Sequence, residues 1–384
     1  MHTATALEDV CARARDLEAV ALDTEFVWER TYYPALGLVQ MGLGGGDIVL
    51  IDTVALEGEL GPLGNLLEDE SVVKILHDAT QDLQILARAT DAHPRRAYDT
   101  QRAGGFVGLT ATTSLQDLVE WGVGLRLDKG ETRSNWLRRP LSESQQEYAA
   151  ADVRYLHELR TKQLAKAEEL GRTGWVEDEM TRYDDPDLYL ESDPDEAVNR
   201  VKVRGIGRMS GRQRAVLRTV SAWREVEARK LDRTRRMVLP DEMLAKIADY
   251  GPGSFDDLSS LKMTDRQISR YGDGVLEAVQ LGIEAEPEDR PRRGRPGPEE
   301  FRQQARLQIA QGFLVGRCER SGVDPILVAT KSQLGDLVEA GPDAVQAEMS
   351  GWRYEFAGRD LEAVLRGDVG VRLDPEDGWP DVAT

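Results

Sequence analysis

The chain of 384 residues has a formal net charge of −20, 40% hydrophobic residues and two cysteines, Cys11 and Cys318. This length is sufficient for two or three domains with packed cores, and the widely separated cysteines exclude a disulfide framework and a cysteine-based zinc site. No stretch approaches the roughly 18 consecutive apolar residues of a membrane span, and the N-terminal segment lacks the basic and apolar regions of a signal peptide. We therefore expect a cytoplasmic protein with no membrane partner.

The first predicted strand ends in two carboxylates. An apolar, strand-like run at 20–22 is followed by Asp23 and Glu25. Side chains two residues apart on a strand project from the same face, so two negative charges would crowd the end of a buried strand. Such crowding is relieved by a cation, a basic partner or a proton. Because the four histidines are scattered, a bound cation would be a hard, oxygen-preferring ion such as Mg²⁺ or Mn²⁺.

Residues 1–172 alternate apolar runs with helical periodicity, which predicts a mixed α/β domain. The run KILHDATQDLQIL passes from a strand into a helix and places Asp82 in the first helical turn, where a negative charge is favoured. A capping box of Ser142 and Gln145 predicts a closing helix over about 143–170.

Tyr148 and Asp152 are four residues apart on this closing helix and so share one face. Taken alone, Tyr148 is equally consistent with a packed aromatic residue, and Asp82 with a helix-capping residue. Together with the pair on the first strand, they predict four carboxylates and one phenol converging at one site.

The second half of the chain shows helical periodicity only. Residues 177–196 include ten acids and one arginine, whereas residues 201–236 include twelve basic residues and three acids. This asymmetry is typical of an acidic linker beside a basic binding face, although a solvated helix face would give a similar pattern. Short motifs that recur after roughly 85 to 90 residues indicate a duplicated helical domain. The predicted segments are an acidic linker at 173–204, a helical domain at 205–288, a Pro/Arg/Gly linker at 289–298 and a second helical domain at 299–376.

Three motifs, DTEF, HDATQDL and YAAADVRYL, resemble the exonuclease motifs of the DEDD superfamily. The longer stretches DTEFVWERTYYPALGLVQMG and LDKGETRSNWLRRPLSESQQEYAAADVRYL are similar to the ribonuclease D family. The segment RQRAVLRTVSAWREVEARKLDRTRRMVLPDEML resembles the opening of a helicase-and-RNase-D C-terminal (HRDC) domain, and the last helical block resembles a second, degenerate one. The resemblance implies a ribonuclease H-like α/β exonuclease domain with a mixed sheet and flanking helices, followed by two all-α HRDC-type domains.

The resemblance also implies roles for individual residues. Asp23, Glu25, Asp82 and Asp152 would bind two divalent metal ions, Mg²⁺ or Mn²⁺, and Tyr148 would orient the attacking water. The superfamily has a histidine branch with histidine five residues before the last aspartate. That position is Glu147 here, whereas the tyrosine lies four residues before the aspartate, so the chain resembles the tyrosine branch.

Other residues are weaker candidates for RNA contact. Aromatic faces stack on bases without sequence preference, and basic residues near such a site contact phosphates. Ordinary packing would equally explain Tyr32, Tyr33 and Gln40. The candidates are Tyr32, Tyr33 and Gln40 along the path of the terminal nucleotides, Lys129 and Arg133 in the loop LDKGETRSNW, and Arg212, Arg214 and Arg218 at the start of the first HRDC-type domain.

The predicted function is a 3′-to-5′ exoribonuclease that releases 5′-mononucleotides from RNA with a free 3′ end, with tRNA precursors and other small structured RNAs as the implied substrates. No obligate protein partner is evident from the sequence. A DNA exonuclease on the same scaffold is the nearest alternative, because contacts to the 2′-hydroxyl are not visible in sequence. A noncatalytic RNA-binding adaptor is the second, and the complete acidic set argues against it.

Overall fold

A computed structural model describes residues 1–127, 134–288 and 297–383 of the chain. These residues form two compact units. The first unit contains residues 1–26 and 36–189 together with the described residues from 297 onward, and the second contains residues 27–35 and the described part of 190–295. In the described residues, no helix is long and apolar enough to cross a membrane.

The centre of the first unit is a mixed five-stranded sheet with the order β3-β2-β1-β4-β5. Its strands are β1 Ala19–Val27, β2 Ala35–Gly42, β3 Ile48–Asp52, β4 Val73–Leu76 and β5 Ala97–Asp99. Strand β3 runs antiparallel to β2, whereas β1, β4 and β5 are parallel. Val20, Ala21 and Leu22 of β1 are completely buried, and fully burying a side chain the size of leucine or valine contributes roughly 1.5–3 kcal/mol. The predicted mixed sheet is confirmed.

Helices flank this sheet in the first unit. They are α1 Ala4–Arg15, α2 Gly61–Glu68, α3 Ala79–Thr90, α4 Thr100–Gly104, α5 Leu115–Val123, α6 Glu143–Arg154, α7 Leu156–Glu169 and α8 Thr173–Met180. The capping box of Ser142 and Gln145 is present at the start of α6. The predicted closing helix is interrupted at Tyr155, whose ψ of −2° lies outside the α-helical range, so α6 and α7 are separate helices.

The predicted acidic linker at 173–204 contains helical structure over most of its length. Residues 173–200 contain α8 and three short 3₁₀ helices, Thr181–Asp184, Pro186–Tyr189 and Pro194–Arg200. Apolar residues among the acids, including Val176 and Tyr183, are buried in the core of the first unit. Glu179 is 2% exposed and accepts a hydrogen bond of 2.7 Å from Arg102. The charge pattern alone did not reveal these contacts, because they join segments far apart in the chain.

The described residues of the second unit contain five α-helices, preceded by the 3₁₀ helices Pro194–Arg200 and Ile206–Arg208. The α-helices are α9 Gly211–Lys230, α10 Arg235–Val238, α11 Asp241–Tyr250, α12 Phe255–Ser260 and α13 Asp265–Glu284. Its own apolar core includes Val220, Leu244 and Val275, which are completely buried. Arg224 is also buried, and it donates to the carboxylate of Asp241 at 2.7 Å. A buried guanidinium needs such a partner, because an unpaired buried charge is costly.

The last helical block repeats the helix order of the second unit. It contains α14 Pro298–Ser321, α15 Pro325–Val328, α16 Lys331–Ala340, α17 Val345–Glu348 and α18 Arg359–Arg366, and it ends in a hairpin of β6 Val371–Leu373 and β7 Pro380–Val382. This similarity accords with a duplication, and a second HRDC-type domain stays a prediction.

The structure places this block in the first unit. Asp324 accepts a hydrogen bond of 2.7 Å from the backbone N–H of Ala111, and the rings of Trp175 and Trp352 stack with centroids 5.3 Å apart. A Cβ at Gly105 would lie 2.6 Å from a methyl carbon of Leu327, so any larger residue there would force the Leu327 side chain to shift. The block therefore packs directly against the α/β part of the first unit.

Candidate active site

Three of the four predicted acids come together in the first unit. Asp23 and Glu25 lie two residues apart on β1, and Asp152 lies on α6. Each offers a carboxylate oxygen, and these oxygens all lie within 4.8 Å of one another. These three of the four predicted acids therefore converge at one site.

Asp82 lies in the first turn of α3 and is 9% exposed. The hydroxyl of Thr24 donates a hydrogen bond to its carboxylate. The start of α3 is fixed by Asp99, which accepts hydrogen bonds of 3.1 Å from the backbone N–H groups of Asp78 and Ala79. The fourth acid is thus held beside the first strand but is not part of the group of three.

Burial disfavours ionisation of all four acids, and repulsion from other acids of the set adds to this effect for Asp23, Glu25 and Asp82. Burial, followed by the charge of Asp82, raises the pKa of Asp23 well above its ordinary value. Burial, followed by Asp152, raises the pKa of Glu25 to about 8. Burial also raises the pKa of Asp82 and of Asp152 to about 7. The metal-free site therefore holds protons that a cation would displace.

The donor set fits a hard divalent cation. Across the described ranges, no ion pair joins a lysine, arginine or histidine to any of the four acids, so a basic partner does not relieve their crowding in this part of the chain. Carboxylate oxygens are the ligands that Mg²⁺ and Mn²⁺ prefer. The acidic cluster is compatible with divalent metal binding.

Tyr148 lies on α6 one turn before Asp152, as its spacing predicts. Burial, followed by the charges of Asp152 and Glu25, raises the pKa of its phenol, so the hydroxyl stays protonated and can donate a hydrogen bond at neutral pH. Its ring lies against that of Trp136, with centroids 6.2 Å apart. The phenol is therefore a positioned donor beside the acids.

Sequence reasoning missed the residue that anchors Trp136. Arg139 donates to the backbone carbonyl of Trp136 at 2.8 Å and to that of Gly37 at 2.7 Å, and it binds both carboxylate oxygens of Asp52 at 2.7 Å. A bidentate arginine–carboxylate pair is geometrically specific. It ties the segment before α6 to β2 and β3, and the sequence carries no local signal for this long-range pairing.

The two tyrosines proposed to line the nucleotide path have partners in the second unit. The hydroxyl of Tyr32 donates to the buried carboxylate of Glu225, and the guanidinium of Arg235 lies 4.9 Å from the centroid of its ring. The hydroxyl of Tyr33 donates to Glu191. The structure thus gives both residues contacts within the second unit, and their role in RNA binding stays a prediction.

Gln40, the third residue proposed for the nucleotide path, has no exposed surface. A completely buried side chain offers no face on which a nucleotide can stack, so the structure does not support a path-lining role for it. Lys129 and Arg133 lie outside the described residues.

The three arginines proposed to bind phosphate each have a partner in the second unit. Arg218 pairs with Asp195 and with Glu288, both at 2.9 Å. Arg214 donates to the backbone carbonyl of Glu288 at 3.1 Å. Arg212 donates to backbone carbonyls at the end of α13. These contacts brace the second unit, and a role in phosphate binding would have to compete with them.

Thr24→Val is expected to lower turnover and to raise the Mn²⁺ concentration needed for half-maximal activity, because it removes the hydroxyl that orients Asp82. Loss of such an outer partner typically costs about 10–100-fold in metal affinity or activity. Thr24→Ser keeps the hydroxyl, so its turnover and its half-maximal Mn²⁺ concentration should both lie close to those of the wild type. An unchanged Mn²⁺ dependence in Thr24→Val would show that the hydrogen bond has no influence on the site.

Comparison with known proteins agrees with this geometry. Residues 1–167 match a family model described as 3′-5′ exonuclease, and residues 213–279 match the model of the HRDC domain. Ribonuclease D of Desulfotalea psychrophila is 35% identical over 372 residues, covering 96% of this chain and 98% of that protein. Ribonuclease D of Granulibacter bethesdensis is 34% identical over 378 residues, covering 96% and 92%.

A solved structure matches over the same length. The crystal structure of Escherichia coli RNase D, described as an exoribonuclease involved in structured RNA processing, superposes with a TM-score of 0.78 at 29% identity and covers 96% of this chain and 98% of its own. The family model finds an HRDC domain at 213–279, within the first of the two predicted helical domains. The chain therefore belongs to the ribonuclease D family of 3′-5′ exoribonucleases.

Proposed function

We propose that this exoribonuclease hydrolyses RNA with two divalent metal ions, Mg²⁺ or Mn²⁺, held by Asp23, Glu25, Asp82 and Asp152. The observation that supports this most directly is the group of three carboxylates whose oxygens lie within 4.8 Å of one another without a basic partner in the described residues. Two such ions can lower the pKa of a bound water and stabilise charge on the leaving oxygen of a phosphodiester.

The chain's own residues supply position and hydrogen bonds. Asp23 and Glu25 on β1 and Asp152 on α6, whose carboxylate oxygens lie within 4.8 Å of one another, would hold the cations together. Tyr148, as a protonated phenol, would donate a hydrogen bond to the attacking water. Thr24 fixes the carboxylate of Asp82. The expected products are 5′-mononucleotides.

We further propose that tRNA precursors and other small structured RNAs are the substrates. The supporting observations are the near full-length similarity to an exoribonuclease described as involved in structured RNA processing and the HRDC domain at 213–279. The family resemblance gives the tRNA assignment.

The test uses the full chain with a 3′-extended tRNA and a DNA strand of matched sequence, each with Mg²⁺, Mn²⁺ or a chelator. We expect shortening of the tRNA extension with either metal, none with the chelator, and slower loss of the DNA. Activity that persists in chelator would contradict the metal assignment. Faster hydrolysis of the DNA would favour the alternative of a DNA exonuclease.

The metal-free protein is expected to lose stability as the pH rises from about 4 toward 8. Each acid has a folded-state pKa above that of about 4 in an unfolded chain, near 7 for Asp82 and Asp152 and near 8 for Glu25. The stabilising contribution of these protons is complete below the unfolded value and is lost as the pH passes through the folded values. Unfolding temperatures measured in chelator between about pH 4 and pH 8 show whether stability falls as the pH rises.

Two controls isolate the site in this pH experiment. Saturating Mn²⁺ should remove most of the decline, because the cation replaces the protons. Asp152→Asn should show a shallower decline than the wild-type protein in chelator. Identical curves for the two proteins would mean that the decline arises from other acids of this strongly acidic chain.

The salt dependence of RNA affinity can be used to test which residues of the second unit contact phosphate. Arg204, Arg208 and Lys246 are exposed, line one surface depression and form no ion pair within the described residues. Replacing this exposed set with glutamine is expected to flatten the plot of log affinity against log salt. The slope should fall in magnitude by about one for each phosphate that the variant no longer neutralises.

The matched comparison replaces Arg212, Arg214 and Arg218 with glutamine. Because these side chains brace the second unit, we expect this variant mainly to lower the unfolding temperature. If this variant flattens the salt slope while replacement of the exposed set leaves the slope unchanged, Arg212, Arg214 and Arg218 contact phosphate as the sequence predicts. The exposed set is then a solvated face.

A further inference from the structure

Gln40 is a polar residue in an unusual position. Its side chain is completely buried on β2, and neither its amide nitrogen nor its amide oxygen has a hydrogen-bond partner in the described part of the chain. Buried polar atoms in folded proteins are nearly always satisfied, and an exception calls for an explanation such as a missing ion or water. Ordinary packing would be served better by leucine or methionine at this position.

The side chain lies on the face of the sheet that carries the acids. Strands β1 and β2 are neighbours, and the connection between them is too short for a parallel crossover, so they run antiparallel. A Cβ built on Gly42 would lie 3.2 Å from the Cβ of Ala21 and 3.6 Å from that of Val153 on α6. Gly42 and Ala21 are therefore opposite each other, under the helix that carries Asp152.

A step of two residues along each strand, from the pair Ala21 and Gly42, brings Gln40 opposite Asp23. In an antiparallel pair, the step from Ala21 to Asp23 on β1 matches the step from Gly42 to Gln40 on β2. Alternation keeps both side chains on the face under α6, and directly opposite residues have Cβ atoms about 4.5–5.5 Å apart. The unpaired amide is thus the cross-strand neighbour of the central acid of the site.

We propose that Gln40 is a positioning residue for Asp23, donating its amide N–H to the aspartate carboxylate when that carboxylate binds a cation. The inference rests on the proposed metal-dependent function. An ionised carboxylate has several acceptor positions, of which the cations use only some, and carboxylate ligands of metals are themselves usually held by an outer hydrogen bond. The absence of exposed surface on Gln40 fits this role.

The test is isothermal titration of Mn²⁺ into the metal-free, full-length protein, comparing wild type with Gln40→Met. Methionine keeps the unbranched shape and removes both polar atoms. We expect Gln40→Met to bind Mn²⁺ about 10–100-fold more weakly, as for the loss of other outer partners of metal ligands. We also expect its metal-free unfolding temperature to equal or exceed that of the wild type, because the unpaired amide is gone.

Two further variants make the outcome decisive. Met41→Leu, at the next position of the same strand and therefore on the opposite face of the sheet, should leave Mn²⁺ affinity unchanged. Gln40→Leu provides a second apolar variant and should weaken binding as methionine does. Equal Mn²⁺ affinity in the wild type and in either folded Gln40 variant would overturn the inference while leaving the metal-dependent function intact. Absence of Mn²⁺ binding by the wild type would overturn both.

Discussion

Asp23→Asn and Asp152→Asn are each expected to abolish RNA hydrolysis while the protein stays folded. Both residues contribute to the group of oxygens within 4.8 Å, and a neutral amide is a poor substitute for a carboxylate in binding a hard divalent cation. The same substitutions remove a buried charge or proton from a crowded site, so the metal-free variants should unfold at an equal or higher temperature near neutral pH. Turnover and thermal unfolding in chelator measure the two effects.

A matched control separates this loss from a general effect of removing acidic charge. Asp9→Asn, on the exposed face of α1, should keep normal turnover and an unchanged unfolding temperature. Normal hydrolysis by Asp23→Asn or by Asp152→Asn would contradict the assignment of these acids to the metals. Loss of activity together with loss of fold would be a structural effect, which the unfolding temperature reveals.

Tyr148→Phe is expected to lower turnover by about 10²-fold or more with little change in RNA affinity, which is the range for losing a positioned hydrogen-bonding or acid–base group. The phenylalanine ring preserves the contact with Trp136, so the substitution removes only the hydroxyl. Single-turnover rates at saturating RNA, together with a separate affinity measurement in chelator, distinguish the two quantities.

The control for this substitution is Tyr250→Phe, which removes the hydroxyl of a tyrosine that is 58% exposed in the second unit. It should leave the single-turnover rate unchanged. A normal rate in Tyr148→Phe would reduce Tyr148 to a packing residue. A loss confined to RNA affinity would place it in substrate binding instead.

Local spacing was sufficient to predict much of the site. Residues two apart on a strand and four apart on a helix must share a face, and this alone placed Asp23 beside Glu25 and Tyr148 beside Asp152. The capping box that starts α6 was predicted for the same reason, because its two residues interact only with each other and the adjacent backbone.

The features that sequence missed depend on contacts between distant segments. Arg139 meets Asp52 across 87 residues of sequence, and the burial of Gln40 opposite Asp23 depends on the register of two strands. The acidic segment was interpreted as a linker because its charges are visible locally, whereas the pairing of the buried Glu179 with Arg102 is not. Likewise, the packing of the last helical block against the exonuclease fold requires knowledge of surfaces that no local pattern encodes.

The most direct test of the central claim is a time course with a 5′-labelled RNA in the presence of Mn²⁺, compared with the same RNA carrying a 3′-phosphate and with the same reaction in chelator. We predict a ladder that shortens one nucleotide at a time from the free 3′ end, strong slowing by the 3′-phosphate, and no products in chelator or with Asp23→Asn. Immediate release of a short labelled 5′ fragment, or an unchanged ladder in chelator, would contradict a metal-dependent 3′-to-5′ exoribonuclease.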